Sequence, residues 1–313
     1  MLKQFQSKFI FQQQILSNSD LSFSNLGSKV NFDKLNFKTL KVSDIINFKQ
    51  GIITGNNKKY ITKEPTNITK RVLTGADFNK YTLNWHGDYV IYNENELHRP
   101  RTPDIFEVSE KILLRQTGSY PICMIDKESY YTLDTVHNGR IINDSFDIKY
   151  LLVLLNSQLL RFVYENSVNE TGKVFAQVKI IYVDPLPIKN IPLAEQQPFI
   201  ELADKMLTLN ADLQKSVQRF LKRVQENLNP AKISSTLENF YTLEFADFVK
   251  ELAKQKVKLS LKQQDEWEEY FTEYKTDCVA LSEEIAATDN EINRLVYKLY
   301  DLSDEEIAIV EGK

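Results

Sequence analysis

The alternation of apolar and polar residues divides the chain into two parts of different character. Up to residue 183, apolar residues occur in short runs rich in β-branched and aromatic side chains and bounded by Gly, Pro, Asn or Asp, which is typical of strands. One helix is predicted among them, from Asp147 to about Asn166, because apolar residues recur there at spacings of three and four. The runs predicted as strands are 89–93, 111–116, 120–126, 130–136 and 174–183.

Beyond residue 183 the pattern becomes helical. Residues 184–198 contain four prolines, and we expect this segment to continue neither a helix nor an inner strand. Apolar stripes then predict a helix of about 30 residues that ends near Asn229, a second over 243–255 and a third from Ser260 through Leu299. Ser260 and Gln263 have the spacing of a capping box at the start of the third helix. Such stripes indicate helix-on-helix packing and carry no chemistry.

The pattern therefore predicts an α+β protein with two domains. A small, mixed and β-rich domain covers residues 1–190, and an all-α helical domain covers residues 191–313. A chain of 313 residues exceeds the usual size of a single domain, which agrees with this division.

Charge is divided in the same way. The chain has a formal net charge of −4, but residues 1–190 hold 24 Lys and Arg against 19 Asp and Glu, so the acidic excess lies in the helical part. A bound ligand responds to the local field rather than to the total charge. The first domain can therefore accept a polyanion, whereas the second would repel one.

Composition points to a cytoplasmic protein. The two cysteines, Cys123 and Cys278, lie far apart in the sequence and are expected to be reduced thiols. Polar residues interrupt the most apolar run, 150–160, so no transmembrane segment and no membrane partner are predicted. The N-terminal residues lack the continuous apolar core of a signal peptide.

Motif searches give no catalytic residue, metal site or cofactor site in this chain. The stretch GIITGNNKKYI, residues 51–61, places only three residues between its glycines and lacks the Gly-Lys-Ser/Thr of a nucleotide-binding loop. The three histidines are scattered, no nucleophile elbow is present, and the only Asn-Pro pair does not continue into the Asn-Pro-Pro-Tyr of an amino-methyltransferase. A nuclease with an unrecognised site remains an alternative, as does a helical scaffold that binds protein.

A binding function remains after these exclusions. Loops of the first domain carry Lys, Arg, Asn, Gln, Thr and Tyr, as in GNNKKY, TKRV, RQTGSY and HNGR. Lys and Arg neutralise phosphates, and Arg, Asn and Gln can pair with base edges. Solvated turns would have the same composition, so this pattern alone leaves both interpretations open.

Several of these segments, in this order, resemble a known family. ILLRQTGSYPICMIDKESYYTLDTVHNGRI (112–141), YLLVLLNSQLLRFVY (150–164) and GKVFAQVKIIYVDPLPI (172–188), together with residues 51–61, resemble the TaqI-like C-terminal specificity domain of bifunctional restriction–modification enzymes. Residues 243–271 and 291–312 are similar to the C-termini of type IIG enzymes. Residues 186–206 resemble the junction between domain and spacer helix in type I specificity subunits.

The resemblance implies a target recognition domain that reads a short duplex DNA site, with helices that hold it against a catalytic region. The chain would be a specificity subunit or fragment that directs an adenine-N6 methyltransferase or endonuclease and is itself not an enzyme. S-adenosylmethionine and Mg²⁺ are expected only in that catalytic partner. Self-association through the C-terminal helices is left open.

Position in this domain selects the candidate DNA-binding residues. Residues 51–61 are interpreted as strand, turn and strand, with Gly55 and Asn56 in the turn, and Phe175 and Val178 as core. Phosphate contacts are predicted for Lys58, Lys59, Lys70 and Arg71, base-edge contacts for Arg115, Gln116, Asn138 and Arg140, and a further DNA contact for Lys173.

Overall fold

A computed structural model describes residues 35–36, 38–168 and 177–313. It contains 49% helix and 18% strand, with a β-rich first part and a helical second part, so the α+β class is confirmed. The strands are β1 (Thr39–Lys41), β2 (Ile46–Gln50), β3 (Ile61–Thr62), β4 (Thr69–Leu73), β5 (Phe78–Asn79), β6 (Thr82–Leu83), β7 (Tyr89–Ile91), β8 (Lys111–Arg115), β9 (Cys123–Asp126), β10 (Tyr131–Thr132), β11 (Val136–Ile141) and β12 (Pro187–Lys189). The α-helices are α1 (Asn57–Tyr60), α2 (Ile148–Asn156), α3 (Gln158–Ser167), α4 (Ile180–Val183), α5 (Leu193–Leu228), α6 (Ser235–Glu238), α7 (Phe245–Lys254), α8 (Leu261–Leu299) and α9 (Asp304–Val310).

One sheet, which we call the central sheet, has the strand order β2-β11-β8-β9 and is antiparallel throughout. Its β8 strand is the apolar run predicted from the sequence, and Ile112, Leu113 and Leu114 are completely buried. In β11, Asn138 lies opposite Lys49 on one side and Leu113 on the other. Opposed residues project to the same face of a sheet, so this register decides which polar side chains can meet.

A second sheet, β10-β4-β7-β3, includes one parallel pair, β10 with β4. Its apolar side chains form a compact core with those of neighbouring loops. The buried members of this core are Ile52, Tyr60, Val72, Val90, Leu97, Phe106, Tyr131 and Leu133.

The helix predicted over 147–166 is two helices, α2 and α3. They meet at Ser157, whose Oγ accepts a hydrogen bond from the Leu160 amide and caps α3. The preceding residue, Asn156, is buried and bonds both the amide and the carbonyl of Cys123 in β9. The apolar stripe continues through this break, and its periodicity alone therefore predicts a single helix.

Two of the predicted strands differ from the structure. In 130–136 only Tyr131–Thr132 forms a strand, and pairing resumes in β11 at Val136. In the described part of 174–183, Gln177 makes one bridge to Thr117, and residues 180–183 form the single turn α4. There, the Lys179 amide donates to the hydroxyl of Tyr164 rather than to a strand, which shows tertiary contacts overriding β propensity. Val178 is buried as predicted, and Phe175 lies outside the described residues.

Residues 51–61 also differ from the predicted strand-turn-strand. Gly55 adopts a positive φ of 80° in the turn, but the chain then enters helix α1. The Asn56 side chain accepts from the Lys59 amide and caps this single turn. The prediction was wrong here because Asn serves a turn and a helix cap equally well.

The helical part follows the predicted stripes. Helix α8 begins after Ser260, and the capping box is confirmed, because the Gln263 amide donates to Ser260 Oγ and Gln263 Oε1 accepts from the Ser260 amide. Helix α5 starts earlier than predicted and includes Pro198, close to its N-terminal end. Pro187 lies in β12, in a two-stranded pair with β1 where no third strand needs its missing N–H.

By packing, the chain divides into two units. One comprises residues up to Ala203 together with Ile292–Lys313, and the other comprises Asp204–Glu291. The second unit has an aromatic-rich core of Phe220, Val224, Leu237, Phe240, Phe248, Leu252, Phe271 and Cys278. Its division from the first falls within α5 and α8 rather than after residue 190, and the functional scheme of domains 1–190 and 191–313 stays a prediction.

Candidate nucleic-acid interface

One end of the central sheet carries a chain of hydrogen-bonded polar side chains, which we call the Gln50 network. Gln50 ends β2, and its Nε2 donates to Gln116 Oε1 at 3.3 Å and to the Asp134 carbonyl at 3.1 Å. Arg101 donates from Nη2 to Gln50 Oε1 at 3.4 Å and from Nε to the Gly51 carbonyl at 3.3 Å. Gln50, Arg101 and Gln116 are all half-buried, so the network is partly accessible to solvent.

His137 lies in β11 opposite Gln50 and is 8% exposed. Burial, with a smaller contribution from the nearby positive charge of Arg101, lowers the pKa of its imidazole to about 4. The ring is therefore neutral at physiological pH. It adds shape and hydrogen-bonding capacity to this end of the sheet but no charge.

We expect acid to destabilise the fold through His137. Between pH 6.5 and about 4 the unfolded imidazole binds a proton that the folded one does not, so stability falls as pH falls through this window. The loss is up to about 1.4 kcal/mol per pH unit. Urea unfolding from pH 7 to 4.5 should show a shallower decline for His137→Gln than for the unchanged protein. Identical pH slopes would contradict the burial argument.

Arg115 ends β8 and is a half-buried guanidinium without a counter-charge in the described part of the chain. Its Nε is buried with no hydrogen-bond partner there, and burial lowers the pKa of the group. Gly75 makes room for it, because a Cβ there would lie 2.9 Å from Arg115 Cγ. A desolvated cation without a partner is costly, so an external acceptor is expected to pair with Arg115.

Asn138 is not placed for base reading. It is 2% exposed, and its Nδ2 donates to Thr132 Oγ1 at 2.7 Å and to the Lys49 carbonyl at 3.4 Å. The prediction of a base-edge contact is therefore corrected: this amide links strands inside the domain. Sequence position alone could not distinguish it from Arg140, two residues further along the same face.

Arg140 and Lys49 are exposed on that face of the sheet, near its β2 edge. The register places Arg140 opposite Asn47 and Lys49 opposite Asn138, so the two cations lie on a diagonal. Neither forms an ion pair within the part of the chain that the structure describes. Both are available to a phosphate or to a base edge.

Three of the predicted phosphate contacts are instead held by glutamates. Lys59 pairs with Glu96 at 3.2 Å, Lys70 with Glu107 at 2.9 Å and Arg71 with Glu128 at 2.7 Å. Hydrogen bonds to Tyr60 and Glu96 raise the pKa of Lys59. Lys70 and Arg71 also line an open depression of about 540 Å³ that contains their two glutamates. A DNA phosphate would have to compete with a carboxylate at each of these cations.

Lys58 differs from its neighbour Lys59. It is exposed on α1 and has no ion pair among the residues described. Lys173 lies outside the described residues.

The structure brings only some of the predicted residues together. Gln116 joins the Gln50 network, whereas Arg115, its chain neighbour, projects to the other face with Val136. Sequence reasoning missed Gln50 and Arg101. A glutamine that ends a strand gives no motif. Arg101 lies in HRPR, where Pro100 and the nearby Pro103 indicate a plain loop, and its positive φ of 61° becomes visible only in the structure.

Two absences bear on the alternatives. Within the described ranges no three His, Cys, Asp or Glu side chains cluster closely enough to hold a metal ion. Nor does any helix there combine the length and apolar character needed to cross a bilayer.

Two families match the sequence. Residues 70–188 match the TaqI-like C-terminal specificity domain, and residues 192–296 match a family described as a domain of unknown function, DUF8810. The two matches meet between residues 188 and 192, in the proline-containing segment. No curated protein matches the chain at a significant level.

Two solved structures are similar to this chain at low identity. The S subunit of a type I restriction–modification system from M. genitalium is 15% identical, with a TM-score of 0.40 over 67% of this chain and 49% of that one. The type IIL restriction–modification enzyme MmeI, solved in complex with DNA, is 10% identical, with a TM-score of 0.40 over 81% of this chain and 36% of that one. The chain thus spans about half or less of these relatives.

The family match covers β4 to β12 and contains Arg101, Arg115, Gln116 and Arg140. It also covers the segments 112–141, 150–164 and 172–188 that carry the resemblance, whereas residues 51–61 lie outside it. Residues 70–188 of this chain therefore match the TaqI-like specificity domain, in agreement with the sequence resemblance.

Proposed function

We propose that this chain is the sequence-specific DNA recognition part of a restriction–modification system and directs an adenine-N6 methyltransferase or endonuclease to its target. The observation that carries the proposal is the match of residues 70–188 to a specificity domain. The residues of this segment supply the chemistry that duplex recognition needs, because Arg and Gln side chains can pair with base edges in the major groove.

The distribution of charge supports the same function. The first 190 residues hold 24 Lys and Arg against 19 Asp and Glu, and Lys49, Lys58 and Arg140 are exposed there without an ion pair among the described residues. Backbone phosphates provide most of the affinity of such proteins for DNA, whereas base contacts provide the specificity. A mildly basic surface with a few unpaired cations can supply the phosphate contacts that such binding needs.

The catalytic steps are assigned to a partner. S-adenosylmethionine and Mg²⁺ would bind in that methyltransferase or endonuclease region, and the helices of residues 192–296 would hold it in place, within the cytoplasm. This part of the proposal rests on the resemblance to type IIG enzymes and type I specificity subunits. This assignment would be tested by co-purification of this chain with a methyltransferase from the same source. A variant that lacks residues 204–291 is the matched control.

The experiment that tests DNA recognition is a binding selection from random duplex DNA at about 100 mM salt, repeated at higher salt. Enrichment of a short motif, with affinity that falls as salt rises, is the expected result. Binding without enrichment would leave only backbone contacts in this chain. No binding at all would contradict the proposal and favour a helical scaffold.

The unpaired lysines provide a second prediction. Lys49→Ala/Lys58→Ala should weaken binding to all duplexes alike and flatten the slope of log affinity against log salt by about 1–2, since each lost phosphate contact contributes about 0.9. Lys222→Ala/Lys262→Ala makes the same change in net charge within the acidic helical part and should leave the slope unaltered. Titrations of one specific and one random duplex at four salt concentrations measure both quantities. An unchanged slope in the first variant would remove these lysines from the interface.

A further inference from the structure

The Gln50 network leaves a defined set of hydrogen-bonding groups unused. Gln50 is saturated as a donor, because Nε2 bonds both Gln116 Oε1 and the Asp134 carbonyl, and its Oε1 already accepts from Arg101. It has no N–H left for a ligand. Its place between the two other side chains is that of a bridge.

The two outer side chains keep their recognition groups. Gln116 uses only Oε1, so both hydrogens of Nε2 and one oxygen lone pair have no partner among the described residues. Arg101 uses Nε and one hydrogen of Nη2, which leaves Nη1 and the second Nη2 hydrogen. Each residue therefore presents two adjacent hydrogen-bonding positions.

These free groups match particular bases. A glutamine amide with a free N–H and a free lone pair fits N7 and N6 of adenine, and two parallel N–H groups of an arginine fit N7 and O6 of guanine. The two hydrogen bonds and the Gln50 amide between them keep Arg101 Nη2 within about 9 Å of Gln116 Oε1, less than three base-pair steps of ~3.4 Å. The two side chains can thus reach bases within three consecutive pairs.

We infer that Gln116 reads an adenine and Arg101 a guanine within three consecutive base pairs in the major groove, and that Gln50 positions both. The inference rests on the proposed function and names the part of the target that this network reads. Gln50 touches no base and acts through its two neighbours. The Gly51 carbonyl, just after β2, accepts from Arg101, and the Asp134 carbonyl, just before β11, accepts from Gln50. These two bonds anchor the network to the backbone.

The first test is a change of base preference. Gln116→Glu keeps the acceptor for Gln50 but cannot donate to adenine N7, and a carboxylate accepts instead from N4 of cytosine. In the binding selection, the enriched base at one position should change from adenine to cytosine. Arg101→Met should lose the guanine at a position no more than two steps away. In each case discrimination at that position should fall about 5- to 150-fold.

The second test addresses Gln50. Gln50→Glu still accepts from Arg101 but can donate neither to Gln116 nor to the Asp134 carbonyl, so adenine discrimination should fall while guanine discrimination is kept. Gln50→Leu removes both links and should reduce both. Thermal unfolding of each variant is measured in parallel, because a purely structural role for Gln50 would lower stability and weaken all sequences alike.

The outcomes separate this inference from the proposed function. If the unchanged protein enriches no motif, the proposed function fails. If it enriches a motif that Gln116→Glu, Gln116→Met and Arg101→Met all leave intact at every position, the function stands and the inference is overturned. Equal loss at all positions would also overturn it, because a reading side chain must act on one base.

Discussion

Arg115→Met is expected to weaken binding to the preferred duplex by about 1–3 kcal/mol and at the same time to leave the fold equally stable or more stable. The loss of DNA affinity and the unchanged or higher stability have one cause. The guanidinium is partly desolvated, its Nε has no acceptor, and no carboxylate pairs with it in the described part of the chain. Removing an unpaired charge relieves a cost in the free protein, whereas DNA loses the group that would have paired with it.

Arg115→Lys provides the control, because it keeps the charge without the planar fork that makes bidentate contacts. It should retain more affinity for random duplexes than Arg115→Met but little of the specificity. Affinities for the enriched and the random duplex, with urea unfolding of the same samples, measure all the quantities. A large loss of stability with unchanged binding would mean that Arg115 is structural.

Lys111→Met is expected to lower the free energy of unfolding by about 3–5 kcal/mol. Lys111 and its partner Asp126 are 1% and 2% exposed and form an ion pair at the β8–β9 boundary of the central sheet. Asp126 also accepts hydrogen bonds from the amides of Glu128 and Tyr130. Without the Lys111 ammonium group, the Asp126 carboxylate is left as a buried and uncompensated charge.

Two comparisons make this second prediction sharp. Lys111→Met/Asp126→Asn removes the stranded charge and should recover most of the loss. Lys127→Met breaks an exposed pair with Glu110 at 3.6 Å and should change stability by at most about 0.5 kcal/mol. A loss of less than about 1 kcal/mol at pH 7 would contradict the assignment.

Local signals predicted the elements whose determinants are local. The residues of the apolar run in β8 are adjacent in sequence, and Ser260 and Gln263 are three positions apart; both predictions are confirmed. Elements that depend on distant partners were predicted with the wrong bounds or the wrong type. Tyr131–Thr132 is a strand only because β4 pairs with it, and α4 forms where a β-rich segment meets α3 and the loop after β8.

The same limit applies to the candidate interface. Polar type and loop position selected Gln116, Arg140 and Lys58, which are all accessible. They could not reveal that Asn138 is buried or that a glutamate holds Lys59, because burial and pairing depend on residues dozens of positions away. Gln50 and Arg101 meet only after β2 and the loop before β8 fold together.

The glutamates beside Lys59, Lys70 and Arg71 have a consequence for how the protein would find its site in a genome. Random DNA gains little from cations that are already neutralised, so the time spent on each wrong sequence is short. The groups that we propose as base readers are not masked in this way, because Gln116 is uncharged and Arg115 has no carboxylate partner in the described chain. Weak trapping on non-target sequence, combined with intact base contacts, favours rapid release and repeated sampling over long residence at each encounter.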